Sequence, residues 1–556
     1  MGDKAILSEV LEASNLTTAY ADLTPKTLLR ELRHVGEDLS VRYSSIDDRA
    51  ELGDPEDSQN HQPAKDEAEA TFTVDDAVEA LGFGRFQLFL SLLTGMAWMA
   101  DAMEMMLLSL LSPALACEWG ISSVQQALVT TCVFTGMMTS STLWGKICDR
   151  FGRRVGLQCS TLMAFVMGVL SGLSPHFYVL LFFRGLTGFG IGGVPQSVTL
   201  YAEFLPMTQR AKCVVLIENF WAIGAVFESL LAYFIMNTWG WRWLIIFSSL
   251  PLGLFSLMSF WLPESPRYLI ACGKEEKALE MLQKAAKDNR VQLPKGRLVA
   301  NIKNTEDRGG LAALLNPDLK KTTLLLWFIW AMNAFSYYGI VLYTTVLFQS
   351  HDECHGGLFS NGTSLEECHP LTRSDYFDLL QTTLAEFPGL LITVFVIEWL
   401  GRKRTMAFEF AIFSVFTFLL YFCLDRFTVT CFIFISRAFI SGAFQCAYVY
   451  TPEVYPTTLR AVGLGASSAM ARIGAIITPF VAQVSSGYSL SLPISIYGTA
   501  ALMALVAAIS LPIETKGRKM IVSCHLTFKY FNFYSRTHTE YKEKNAVVLQ
   551  HPIARS

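Results

Sequence analysis

Charge is scarce in this 556-residue sequence: Asp, Glu, Lys and Arg make up only 17% of it, against about 25% in a soluble globular chain. The net charge of −4 offers no basic surface for a polyphosphate, so nucleic acid is excluded as a partner. No metal-ligand cluster and no nucleophile–base constellation stands out, so no metal, no other cofactor and no enzymatic activity are expected. "WGKI" around Lys146 lacks the GxxxxGK[ST] spacing of a phosphate-binding loop. The start lacks the basic stretch and short apolar core of a secretory signal, and Ile6 breaks the myristoylation pattern. Residues 1–70 hold 16 acids and 7 bases with no long apolar run. Residues 1–71 are therefore expected to form a disordered acidic tail.

What the chain has instead is apolar length. It is 52% hydrophobic, with 40 Phe and 11 Trp and a mean hydropathy of +0.36. A membrane-crossing helix needs about 20 mostly apolar residues. Twelve segments qualify, near 86–111, 124–147, 155–174, 177–200, 213–236 and 242–262, then 323–348, 377–399, 405–424, 428–450, 461–484 and 490–511. Backbone groups in lipid must be satisfied internally, so these are expected as helices. Residues 72–262 and 323–512 then form two six-helix halves. Between them lies a polar linker, 263–322, and after them a tail, 513–556. Alternate loops carry 22 Lys plus Arg on one side and three on the other, Arg242, Arg373 and Arg426. Positive charge stays inside, so both termini are expected in the cytosol.

That orientation sorts the remaining signals. Asn361 of "NGT" falls in an outer loop, where glycosylation is expected. Cys354 and Cys368 share that loop and can pair on the oxidising side, with Cys117 as a competitor near the same face. In the linker, 273–289 places apolar residues at 278, 279, 282, 285 and 286, an amphipathic helix. The segment after Lys519 is basic and aromatic and reads either as an unstructured tail or as a membrane-surface segment.

The two halves repeat. "GKICDRFGRR" at 145–154 is matched by "EWLGRKR" at 398–404, and Glu203-x-x-Pro206-x-x-x-Arg210 by Glu453-x-x-Pro456-x-x-x-Arg460. "LPESPR" and "LPIETKGR" close the sixth and twelfth segments. Asp149 and Glu398 are 249 residues apart, Glu203 and Glu453 250. Two parallel halves of six helices are the plan of a secondary transporter with its site near the midplane. With "RGLTGFGIGG" (184–193) these motifs resemble the signature set of the major facilitator superfamily, in its sugar-porter branch. Longer blocks such as "TGMAWMADAMEMM" and "YVYTPEVYPTTLRAVGLG" are similar to its synaptic-vesicle members. The resemblance implies a vesicle membrane and a small solute moved by alternating access. It covers about 72–518.

The GxGxxG spacing of Gly188, Gly190 and Gly193 lies inside a membrane helix. It reads as close helix packing and not as a dinucleotide fingerprint. Gly145, Asp149, Arg150, Gly152, Arg153 and Arg154, with Glu203 and Arg210, are read as one side of a cytosolic gating network. Glu398, Gly401, Arg402, Glu453 and Arg460 are its second-half counterpart. The seventh segment, "WFIWAMNAFSYYG", brings Asn333, Tyr337 and Tyr338 to midplane depth. The paired glutamines that the resemblance implies there are replaced between Trp327 and Ala331, which argues against sugar.

Five acids lie well inside the spans, Asp101, Glu104, Glu218, Glu228 and Glu386, against three bases, Arg184, Arg437 and Arg472. Such groups face a cavity or pair with one another. The surplus of acids points to protons or a cationic solute. Glu398 and Glu409, near span ends, are expected to reach the inner-loop arginines. The resemblance implies a proton-coupling pair between an acid on the first helix and Arg184. Asp101 is the better match by motif position, and Glu104 is an addition. Three readings stand: a proton-coupled transporter, an uncoupled uniporter, and a vesicle scaffold built on a transporter fold.

Overall fold

Lipid offers a backbone no hydrogen-bond partner, so each apolar segment closes its own bonds as a helix. The computed structural model describes residues 71–299, 310–349, 370–422, 425–456 and 459–516. The acidic tail, Asn361, Cys354, Cys368 and the segment after Lys519 lie outside the described residues.

Strand β1 (Thr71–Phe72) and helix α1 (Val74–Leu81) precede the bundle. Thr73 caps α1 in a reciprocal box with Asp76. The first half comprises α2 (Arg85–Trp119), α3 (Ser123–Phe151), α4 (Arg153–Gly172), α5 (Phe177–Ile191) continued as α6 (Pro195–Glu203), α7 (Met207–Ile217) continued as α8 (Asn219–Ile235), and α9 (Trp241–Met258). The linker supplies α10 (Pro266–Ala271), α11 (Glu275–Asn289) and strand β2 (Arg297–Leu298). The second half comprises α12 (Pro317–Gln349), α13 (Arg373–Leu384) continued as α14 (Glu386–Leu400), α15 (Arg402–Leu419), α16 (Arg426–Val454), α17 (Arg460–Pro479) and α18 (Ser491–Ser510). Twelve spans result.

Nine of these, among the described residues, are long and apolar enough to cross a membrane by themselves. The other three fall short for reasons visible in their residues: two are polar, and the third is apolar but broken into short helices. Helix α3 is rich in Ser, Thr and Gln, α7/α8 is interrupted at Glu218, and α15 opens on Arg-Lys-Arg and carries Glu409. The apolar run of the first span stops at Leu111, yet α2 continues past Pro113 to Trp119 and ends on Gly120 at φ 59°.

Two glycine turns anchor the repeat. Gly152 (φ 105°) and Gly401 (φ 87°) join the second span of each half to the third. After each turn a carboxylate caps the new helix. Glu264 accepts from the backbone N–H of Arg153 at 2.8 Å, and Glu514 accepts from that of Arg402 at 2.8 Å. Orphan N–H groups at a helix start favour an anion there. Burial pushes the Glu264 carboxyl above its ordinary range, while these N–H groups pull it down.

On the same face as the linker, β1 pairs in parallel with β2. Helix α11 buries Ala278, Leu282, Ala285 and Ala286. Asn289 at its end accepts from Phe86 N–H at 2.9 Å and donates to Gln87 at 2.7 Å, tying the linker to the first turn of α2. The halves meet where α3 packs on α17 and α8 on α13. One core cluster joins far-end residues of the first half, including Leu111, Phe177 and Trp241, to the second half's Tyr337, Val341 and Phe348.

Candidate functional site

A cavity lies between the halves. The first half contributes Trp98, Glu218 and Trp221, and the second half Tyr337, Tyr338, Phe444, Gln445, Tyr448 and Arg472. Its walls are ring faces: Trp98 and Trp221 stand 5.6 Å apart, Tyr337 and Tyr338 5.2 Å, Phe444 and Tyr448 5.6 Å. The Glu218 carboxylate accepts from Trp98 Nε1 at 3.1 Å. Trp98 sits one helical turn before Asp101, and Trp221 one turn after Glu218. That spacing is the only sequence signal for the two tryptophans, and it is shared by much of any core.

Each half holds one fully buried guanidinium. Arg184 on α5 pairs with Glu104 on α2, and its Nη1 donates to Ser171 Oγ at 3.4 Å. Glu228, also buried, accepts from Ser248 Oγ at 2.7 Å and feels the charge of Arg184. Arg437 on α16 pairs with Glu386 at 3.1 Å and donates to Thr383 Oγ1 at 3.1 Å. The Glu386 carboxylate also accepts from Tyr337 OH at 2.9 Å, and Trp221 Nε1 donates to Tyr337 OH at 2.8 Å. Ser229 Oγ donates to Thr383 Oγ1 at 3.2 Å. Tyr337 and Thr383 thus link the second half's ion pair to Trp221 and Ser229 of the first half.

Asp101 does not meet Arg184. Its carboxylate is 1% exposed, and neither oxygen has a hydrogen-bond partner among the described residues. The charge acting on it is Arg472, across the cavity wall. Residues three apart on a helix point nearly alike, and the rotation of α2 brings Glu104 to the arginine instead. Glu409 also departs from expectation. It is buried and accepts from Thr393 Oγ1 at 2.6 Å, and it makes no ion pair with an arginine among the described residues. Asn333 is buried with its amide oxygen unpartnered among the described residues, and Tyr338 packs 4.9 Å from Phe134.

At the linker face, Arg153 bridges Asp149 (3.0 Å) and Glu203 (3.5 Å) and donates to Gln196 at 3.0 Å. Arg402 repeats this with Glu398 (3.6 Å) and Glu453 (3.1 Å). Arg210 donates to the Leu205 carbonyl at 3.1 Å, and Arg460 feels Glu453 without a hydrogen bond from its Nε. Gly145 faces Gln196 from within α3. Arg150 and Arg154 make no ion pair among the described residues. Each network closes within its own half. No described ion pair crosses between halves at this face. Among the described residues no group of His, Cys, Asp and Glu could hold a metal ion. Cys117 is disulfide-bonded, and the other seven described cysteines are free.

Two six-helix halves around a polar, aromatic-walled cavity define a secondary transporter. The family model described as "Sugar (and other) transporter" matches residues 95–353. The Caenorhabditis elegans protein svop-1 is 76% identical over 524 residues, covering 94% of this chain and all of its own. The synaptic vesicle 2-related protein of Xenopus laevis is 56% identical over 461 residues, 82% of this chain and 83% of its own. Organic cation/carnitine transporter 7 of Arabidopsis thaliana is 37% identical over 485 residues, 81% and 96%. The E. coli xylose transporter XylE, in a partially occluded inward-open conformation, shares the fold with a TM-score of 0.60. It is 16% identical, with 78% of this chain and 99% of that one covered. The chain belongs to the sugar-transporter family of the major facilitator superfamily, among the synaptic vesicle 2-related proteins. It is a multi-pass membrane transporter and not an enzyme.

Proposed function

We propose that this chain moves a small organic cation across a vesicle membrane by alternating access, coupled to protons, with both termini in the cytosol. The observation that carries the reading is the cavity's composition: ring faces on both sides and the Glu218 carboxylate among them. A desolvated cation over aromatic faces gains about 2 kcal/mol or more, and a carboxylate adds charge complementarity. The relative named for organic cations and carnitine supports the same class.

Asp101 is the proton carrier in this reading. It is the one acid near the cavity with neither a guanidinium in contact nor a hydrogen-bond donor, so its charge must be balanced by a proton or by the solute. Glu104–Arg184 and Glu386–Arg437 hold the two halves' helices in place beside it, and Glu228 adds to the negative balance. Trp221 and Tyr337 bridge the halves, and that bridge must open when they rock. The Arg153 and Arg402 networks are the cytosolic gate, closed onto their own halves in this conformation. Asn361 carries a glycan in the lumenal loop.

The test is uptake by the purified chain in reconstituted vesicles, across a set of organic cations and sugars, with and without a pH gradient. A cation accumulates faster with the gradient, and Asp101→Asn abolishes the stimulation while the protein still folds. Gradient-driven uptake that survives Asp101→Asn removes the coupling role, and transport of sugars alone removes the cation reading.

A further inference from the structure

Three arginines lie inside the spans, and they are not alike. Arg184 and Arg437 are 0% and 1% exposed, and each is closed on a carboxylate. Arg472 is half-buried, lines the cavity and has no carboxylate within 4.0 Å among the described residues. Its only hydrogen bond among the described residues runs from Nη1 to the Met137 thioether at 3.2 Å. Sulfur there is a weak acceptor, and a guanidinium carries five N–H donors. Arg472 therefore presents N–H donors to the aromatic chamber.

We propose that the chamber binds a small zwitterion, a methylated ammonium joined to a carboxylate, with Arg472 holding the carboxylate and Glu218 with the aromatic walls holding the ammonium. The assignment rests on reading the chamber as an ammonium site and extends it. A guanidinium takes a carboxylate through two parallel N–H···O bonds, which orients the ligand as well as binding it. A plain cation would gain nothing from Arg472 and would face its repulsion. A plain anion would meet Glu218 and the buried charge of Asp101. A neutral sugar would use neither charge. Only a ligand with both signs satisfies both ends of the cavity at once.

Glycine betaine and choline are the probes, because they share a trimethylammonium group and differ in the carboxylate. Binding to the purified full chain is read from the fluorescence of Trp98 and Trp221, which line the chamber. The wild type binds glycine betaine at least tenfold more tightly than choline. Arg472→Met brings glycine betaine to the choline level, Arg472→Lys keeps part of the preference, and Glu218→Gln weakens both probes while leaving their ratio. Equal binding of the two probes by the wild type, a preference for choline, binding of neither, or a ratio unchanged in both Arg472 variants overturns the proposal. If both variants fail to fold, the wild-type ratio alone decides. Uptake of glycine betaine into proteoliposomes is measured separately. Selective binding with no uptake under any gradient defeats the transport reading of this chain and leaves the zwitterion site standing.

Discussion

The two halves share a frame and differ in what they place inside it. Both turn on a glycine with positive φ, both cap the next helix with a carboxylate, and both centre an arginine between two acids at the linker face. Within the membrane the likeness ends. Arg184 takes its acid from the first span of its own half, whereas Arg437 takes its acid from the second. The fourth span breaks between Ile191 and Pro195, while its counterpart α16 runs unbroken from Arg426 to Val454. The repeated positions are scaffold, needed wherever two helices meet at a water-facing turn. Of the positions that differ, Glu386 and Arg437 reach the cavity through Tyr337, which lines it.

Breaking the buried pairs tests that contrast most severely. Arg184→Met and Arg437→Met each leave a carboxylate buried without its cation, at a cost of about 3–5 kcal/mol, read as a fall in thermal unfolding temperature. The fall is larger at Arg184, because Glu386 keeps the Tyr337 hydroxyl and Glu104 has no hydrogen-bond donor beyond the arginine among the described residues. Equal falls would erase the distinction. Next comes the first span alone. Asp101→Asn lowers gradient-driven uptake at least tenfold, about 1.4 kcal/mol, with little change in unfolding temperature, while Glu104→Gln lowers both. If the two variants behave alike, the pairing of Glu104 with Arg184 carries no meaning for coupling.

The scaffold positions should respond as twins. Glu264→Ala and Glu514→Ala each remove a helix cap and cost about 1–2 kcal/mol in thermal unfolding. Gly152→Ala and Gly401→Ala force a side chain into a glycine conformation and against the same carboxylates, a strain of about 1–3 kcal/mol. A large effect in one half with none in the other would show that the frame is not shared. Smallest are Asp149→Ala and Glu398→Ala. These acids are 67% and 72% exposed, and solvent screens such pairs, so unfolding temperature stays within error.

Much of this molecule can be read from its residues. Apolar length sets the spans, the 249–250 residue offset sets the repeat, and Lys and Arg in alternate loops set one face apart from the other. These features are written locally, because lipid forces each span to satisfy its own backbone wherever it ends up. The matched "LPESPR" and "LPIETKGR" were visible as a repeat, but their carboxylates' role as helix caps was not, since each cap joins residues more than 100 positions apart. The choice between Asp101 and Glu104 was not legible either. Three residues along a helix turn it by about 300°, so either acid could face Arg184 until packing set the rotation of α2. The same holds for Glu409, drawn inward to Thr393, and for Arg472, left facing the cavity with no acid in contact. Sequence determined that charges would lie in the membrane. Tertiary structure alone decided which of them cancel, because cancellation depends on distances of a few ångströms between helices that the chain order does not bring together.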